Sequence, residues 1–97
     1  MQYVDIQIPA DHPAFAGHFP GNPLVPAVVL LDEILTSIAR LGGTPPGRCD
    51  IRSAKFKRVV GPGDPLVLGF ERTAGGAVSF ELRSAANLVA DGTVLYR

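Results

Sequence analysis

His18 and Asp32 are the two side chains in this sequence best suited to moving a proton, and they stand fourteen residues apart. His18 lies within Gly17-His18-Phe19-Pro20-Gly21-Asn22-Pro23-Leu24-Val25-Pro26. Prolines and apolar neighbours make this a rigid loop that can point an imidazole and partly desolvate it. A histidine so held titrates near the working range of a general base. The same residue also fits a structural role, satisfied by a backbone carbonyl. Asp32 falls off the main apolar stripe of the helix that carries it, among Val25, Val28, Val29, Thr36 and Ala39. No lysine or arginine stands three or four residues away to pair with it. A carboxyl among small apolar neighbours, once covered, tends to keep its proton and can act as an acid. Uncovered, it is an ordinary helix carboxylate. A third group needs only backbone: the N–H groups near Val25 to Val28, at the helix start, form a place for negative charge. Such groups can stabilise an enolate oxygen as it develops from a thioester carbonyl.

The elements that must position these groups are legible in the periodicity. Residues 3–8 alternate apolar and polar, as a half-buried strand does. Pro9 to Pro26 holds five prolines and two glycines, so it is neither helix nor strand. Phe15, Phe19, Leu24 and Val25 make it too apolar for a flexible linker, and long irregular segments with an apolar lining are often functional. Pro26 suits a first helical position, and Gly42-Gly43 supplies a stop. Between them Leu30, Leu31, Ile34, Leu35, Ile38 and Leu41 form one broad apolar stripe, with a smaller one of Val25, Val28, Val29 and Ala39. A helix with so little polar surface is expected to be buried on most sides. Residues 49–60 then alternate loosely, Gly61-Pro62-Gly63-Asp64 reads as a turn, and Leu66 to Arg72 as a strand. Gly75-Gly76 reads as a turn, Val78 to Val89 as a longer strand, Asp91-Gly92 as a hairpin, and Thr93 to Tyr96 as the last strand. One long helix and a meandering antiparallel sheet predict a single α+β domain over residues 1–97.

Composition excludes several classes. Nine basic residues balance nine acidic ones, against a nucleic-acid binder. No apolar run approaches the roughly 18–20 residues of a membrane span, and the N-terminus lacks the pattern of a signal peptide. A cytoplasmic protein is expected. One cysteine, Cys49, cannot close an internal disulfide, and His12, His18 and Cys49 lack metal-finger spacing. So small a core is usually reinforced by association, and an oligomer is expected.

The run from Gly17 to Asp32 resembles the GHFPGxPxxPGVxxLE segment of the FabZ/FabA type of 3-hydroxyacyl-acyl-carrier-protein dehydratases. The acid is Asp, as in the FabA branch. Ala54-Lys55-Phe56-Lys57-Arg58-Val59-Val60-Gly61-Pro62-Gly63-Asp64 is similar to the family's ARFKRPVxPGD strand and turn, and Asp91-Gly92 has a counterpart too. His12 to His18 and Leu31-Asp32-Glu33 look closest to the small dehydratases of aryl-polyene gene clusters. The resemblance implies a hot-dog fold, a sheet wrapped around one long helix. It implies a dimer whose sheets join edge to edge and whose histidine and acid meet across the interface. It implies that His18 removes the C2 proton and the partner subunit's Asp32 protonates the departing 3-hydroxyl. The Ala27 N–H would bind the thioester oxygen, Gly21 would hold the loop's turn, and Phe19 and Pro26 would line the substrate site. No cofactor or metal is implied. Ala27 stands where the family has Gly, and its extra methyl bears on substrate width. The sequence also lacks the longer ends of many relatives, which predicts a more open acyl pocket.

Two rivals belong beside this reading. The hot-dog fold also hosts acyl thioesterases, whose carboxylate activates water, and fold alone does not give function. A non-catalytic member of a dehydratase pair would be expected to lose His18 or Asp32, and both are present. Lys55, Lys57 and Arg58, with Arg52, fit either a solvated strand face or a docking patch for an acidic carrier protein. Cys49 has no histidine or acid nearby in sequence that suggests activation, and reads as a small buried residue.

Overall fold

The computed structural model describes residues 1–8, 25–42 and 49–96. The chain runs β1 (Gln2–Ile6), α1 (Ala27–Leu41), β2 (Cys49–Phe56), β3 (Leu66–Arg72), a 3-10 turn at Ala74–Gly76, β4 (Ala77–Ser84) and β5 (Asn87–Tyr96). The strands form one antiparallel sheet in the order β1-β3-β4-β5-β2. Only β3, β4 and β5 meander; β1 and β2 reach the two edges from either side of the helix. None of the described helices is long and apolar enough to cross a membrane.

Alternation decides which face of the sheet meets the helix. Leu68, Leu82 and Ala90 oppose one another across β3, β4 and β5, and Phe70, Phe80 and Gly92 form the next row. The side chains of these rows are buried, with Leu66, Val78, Val89 and Val94 beside them. From α1 the same core receives Leu30, Ile34 and Ile38. The opposite face carries Lys55, Glu81, Asp91 and Arg83, as expected of an antiparallel sheet packed on one side only.

Several expectations shift. The first strand ends at Ile6, because Gln7 and Ile8 bind the Gly61–Asp64 turn instead. The Gln7 side chain donates to the Gly63 carbonyl at 2.8 Å, and the Gly63 N–H donates to the Ile8 carbonyl at 2.8 Å. Pro26 is the residue before the helix, with ψ 145°, so Ala27 is the first helical position. The apolar stripe holds for Leu30, Ile34 and Ile38, but Leu41 is exposed at the last turn and Ser37 is buried in its place.

The largest correction lies at the C-terminal hairpin. Val78 to Val89 is not one strand, and Asp91-Gly92 is not a turn. The chain reverses at Ala85-Ala86, with Ala85 at φ 54°, and Asp91-Gly92 sits mid-strand in β5. Gly92 serves close packing. A Cβ there would collide with the Ser53 carbonyl oxygen and lie 2.8 Å from the Phe80 ring. An irregularity in β4–β5 pairing between Leu82 and Arg83 leaves Val89 as an extra residue, so that Val89 and Ala90 are both buried in succession.

Candidate active site

The start of α1 is built from three local facts. The Val25 N–H donates to the Val60 carbonyl at 2.8 Å, pinning the chain as it enters the helix. Pro26 then turns it, and its carbonyl accepts from Val29 at 3.0 Å and Leu30 at 3.2 Å. The N–H groups of Ala27 and Val28 therefore precede the first intrahelical bond and have no acceptor within the helix. Val25, expected to offer a free N–H, does not. No described side chain caps the helix, and its first turn carries no acidic residue. The positive end of the helix dipole is not compensated by any of the described residues.

A hollow of about 220 Å³ opens at this helix start, lined by Val25, Ala27, Leu30, Phe56, Lys57, Arg58 and Val59. Its floor is apolar and its rim cationic. A second hollow of about 510 Å³ shares Lys57, Arg58 and Val59 and adds Val60, Asp64, Ser84, Asn87 and Val89. Val59 and Val60 divide the work of this segment: Val60 is buried, while Val59 is 73% exposed.

Asp32 projects from the exposed side of α1. It follows Val28 and precedes Thr36 at four-residue spacing, and all three are exposed. Val28 is 72% exposed, a large value for a valine on the only long helix described. Among the described residues no hydrogen bond or ion pair holds the Asp32 carboxylate. The expectation that α1 is buried on most sides is not met: the Val28–Asp32–Thr36 strip is exposed, and none of the described residues covers it. His18, Phe19 and Gly21 lie outside the described residues, so the structure places Asp32, Ala27 and Pro26 but not their expected companions.

Lys55, Lys57 and Arg58 are exposed, as a docking patch or a solvated face requires. Lys57 Nζ stands 3.7 Å from Asp91 Oδ2, and Lys55 opposes Asp91 across β2–β5. Part of the expected basic patch is therefore answered by the sheet's own acid. Burial pushes the Cys49 thiol up, with Asp50 adding to the effect, which makes it a poorer nucleophile. The lining residues Phe56, Val59 and Leu30 were not read as site residues from the sequence: Phe56 and Val59 stood in the loosely alternating segment that carries the basic run, and Leu30 in the apolar stripe of α1.

An antiparallel sheet curled over one long helix, with an uncapped helix start at its mouth, is the hot-dog fold. The chain belongs to the ApeI-like family, described as ApeI dehydratase, which matches residues 2–93. It is 38% identical over 71 residues to the 3-hydroxyacyl-[acyl-carrier-protein] dehydratase FabZ of Polaromonas naphthalenivorans, covering 63% of this chain and 49% of that protein. To the FabZ of Klebsiella pneumoniae it is 33% identical over 85 residues, 76% of this chain and 56% of that one. The chain spans about half the length of these curated relatives. Among solved structures it resembles the dehydratase heterocomplex ApeI:P from Xenorhabdus doucetiae, with TM-score 0.78, 23% identity, and coverage of 96% and 83%. A mutant of the fluoroacetyl-CoA-specific thioesterase FlK superposes with TM-score 0.69 at 12% identity, covering 98% and 89%. At such identities the two structures speak for the fold alone.

Proposed function

We propose that this protein dehydrates 3-hydroxyacyl thioesters, presented on an acyl carrier protein, to trans-2-enoyl thioesters in fatty-acid or polyene-type biosynthesis. His18 takes the C2 proton. The electron pair moves toward the thioester carbonyl, whose oxygen is met by the Ala27 N–H at the uncapped helix start. The C3–O bond then breaks as the partner subunit's Asp32 gives its proton to the leaving hydroxyl, and water departs. Histidine ends protonated and aspartate ionised, and one proton passed back through solvent restores both.

The observation that carries this reading is the helix itself. One element of a dehydratase-family chain presents an N-terminal N–H pair and, one turn on, an exposed carboxylate, both without a partner among the described residues. A group meant to act as an acid needs covering, and in this reading a second chain supplies it. The partner is a second copy in this reading, with a related dehydratase subunit as the alternative; a heterocomplex is what one structural neighbour is named for. Lys55, Lys57 and Arg58 would meet the acidic carrier protein, with Arg58 at the mouth of both hollows.

The rival is hydrolysis of the thioester. Incubating the protein with a 3-hydroxyacyl thioester separates the two. Growth of the enoyl-thioester absorbance without free thiol supports dehydration, and thiol release without that absorbance overturns it.

A further inference from the structure

Apolar packing holds α1 against the sheet, and directional bonds add to it. Among the described residues three polar ties join the helix to the sheet side. At the N-terminal end the Val25 N–H bonds the Val60 carbonyl. At the C-terminal end Arg72 Nη2 donates to the Gly42 carbonyl at 3.3 Å. Between them, the Tyr96 hydroxyl donates to the Leu35 carbonyl at 2.8 Å. The middle tie meets the helix three residues after Asp32, on the same turn.

We propose that Tyr96 is a positioning residue: through its bond to the Leu35 carbonyl it sets the rotation of α1 at the turn that presents Asp32. The proposal rests on Asp32 acting as the acid in the dehydration above. Tyr96 comes from the end of β5, where it opposes Cys49 of β2. It is half-buried, and burial, with a smaller effect from Cys49, pushes its phenol up to about 12. The hydroxyl therefore stays a donor throughout any working range. Among the described residues no hydrogen bond or ion pair anchors the Asp32 carboxyl, and Val28 and Thr36 beside it are exposed. A rotation of the helix would thus move the carboxyl directly.

The test uses the full chain and two substrates. A 3-hydroxyacyl thioester needs a proton delivered to its leaving group, whereas a 3-chloroacyl thioester loses chloride without one. Both need the C2 proton removed. Tyr96→Phe should lower kcat on the hydroxy substrate by roughly ten- to a hundred-fold, the scale of a small misplacement, with KM little changed. On the chloro substrate it should stay within about two-fold of the unaltered protein, because base and oxyanion groups remain in place. Replacing Tyr96 by 4-aminophenylalanine, which keeps a donor on the ring, should restore the hydroxy reaction. That variant also keeps the question open to measurement should Tyr96→Phe fold poorly. Equal losses on both substrates, no loss on either, or no rescue would overturn the positioning role. Asp32→Asn, run alongside, tests the underlying reading separately: undiminished turnover of the hydroxy substrate would remove Asp32 as the acid, whatever Tyr96 does.

Discussion

At the residue scale, the chemistry asks most of His18. A base that removes a C2 proton has no substitute in the motif, since His12 is the only other histidine. His18→Ala is expected to lower kcat by about 10²–10⁴-fold with a circular-dichroism spectrum and melting temperature close to the unaltered protein's. Turnover near normal in a folded variant would count against the assignment. Tyr96 gives a second prediction. Its folded phenol is raised to about 12 from the ordinary 10.0, so the unfolded chain releases that proton first as pH rises. The stabilisation is complete below pH 10.0, and is lost as pH climbs toward 12. Denaturant titrations across that window should show a shallower fall in stability for Tyr96→Phe than for the unaltered protein. Parallel curves would mean that the phenol does not contribute.

At the scale of elements, β5 shows what a turn-like dipeptide does inside a strand. Asp91-Gly92 is there because β5 passes between Phe80 on β4 and the backbone of Ser53 on β2, with no room for a side chain. Gly92→Ala must push the Phe80 ring or the Ser53 strand aside. Overpacking of this kind costs about 1–3 kcal/mol, read as a lower midpoint in denaturant with an unchanged slope. A stable Gly92→Ala protein would mean that β2 moves away more freely than its pairing with β5 suggests. The turn that does form, Ala85-Ala86, has no glycine, asparagine or proline, and the left-handed Ala85 is held there by the flanking pairs Ser84–Asn87 and Arg83–Leu88.

For the whole molecule, the proposed function seats a second chain on the exposed Val28–Asp32–Thr36 strip. Val28→Lys should leave the single-chain fold intact and shift sedimentation toward monomer, with activity falling as dimer is lost. A variant that remains dimeric would show that this face of α1 lies outside the interface. If His18 and Asp32 meet across that interface, two dead variants should rescue each other. Co-refolding equal amounts of His18→Ala and Asp32→Ala places about half the chains in mixed dimers, each with one complete site. About a quarter of the unaltered activity per chain should return. No recovery, with mixed dimers present by native mass spectrometry, would reject the shared site.

The helix to within one residue at its start, the GPGD turn, β3 and the α+β class were determined by the sequence, because each follows from local periodicity or from a residue that ends an element wherever it stands. The family was equally legible, since a motif spaced along one segment needs no tertiary knowledge to be read; His18 and Asp32 are named from that motif and stand as the proposal. What only the tertiary structure decided were matters of distant contact. The reversal falls at Ala85-Ala86 rather than Asp91-Gly92 because cross-strand pairing of Phe80 with Gly92 and Leu82 with Ala90 outweighs local turn propensity. Strand β1 stops at Ile6 because a turn more than fifty residues away captures Gln7 and Ile8. Asp32 stands exposed because, among the described residues, the one sheet packs on the other side of the helix.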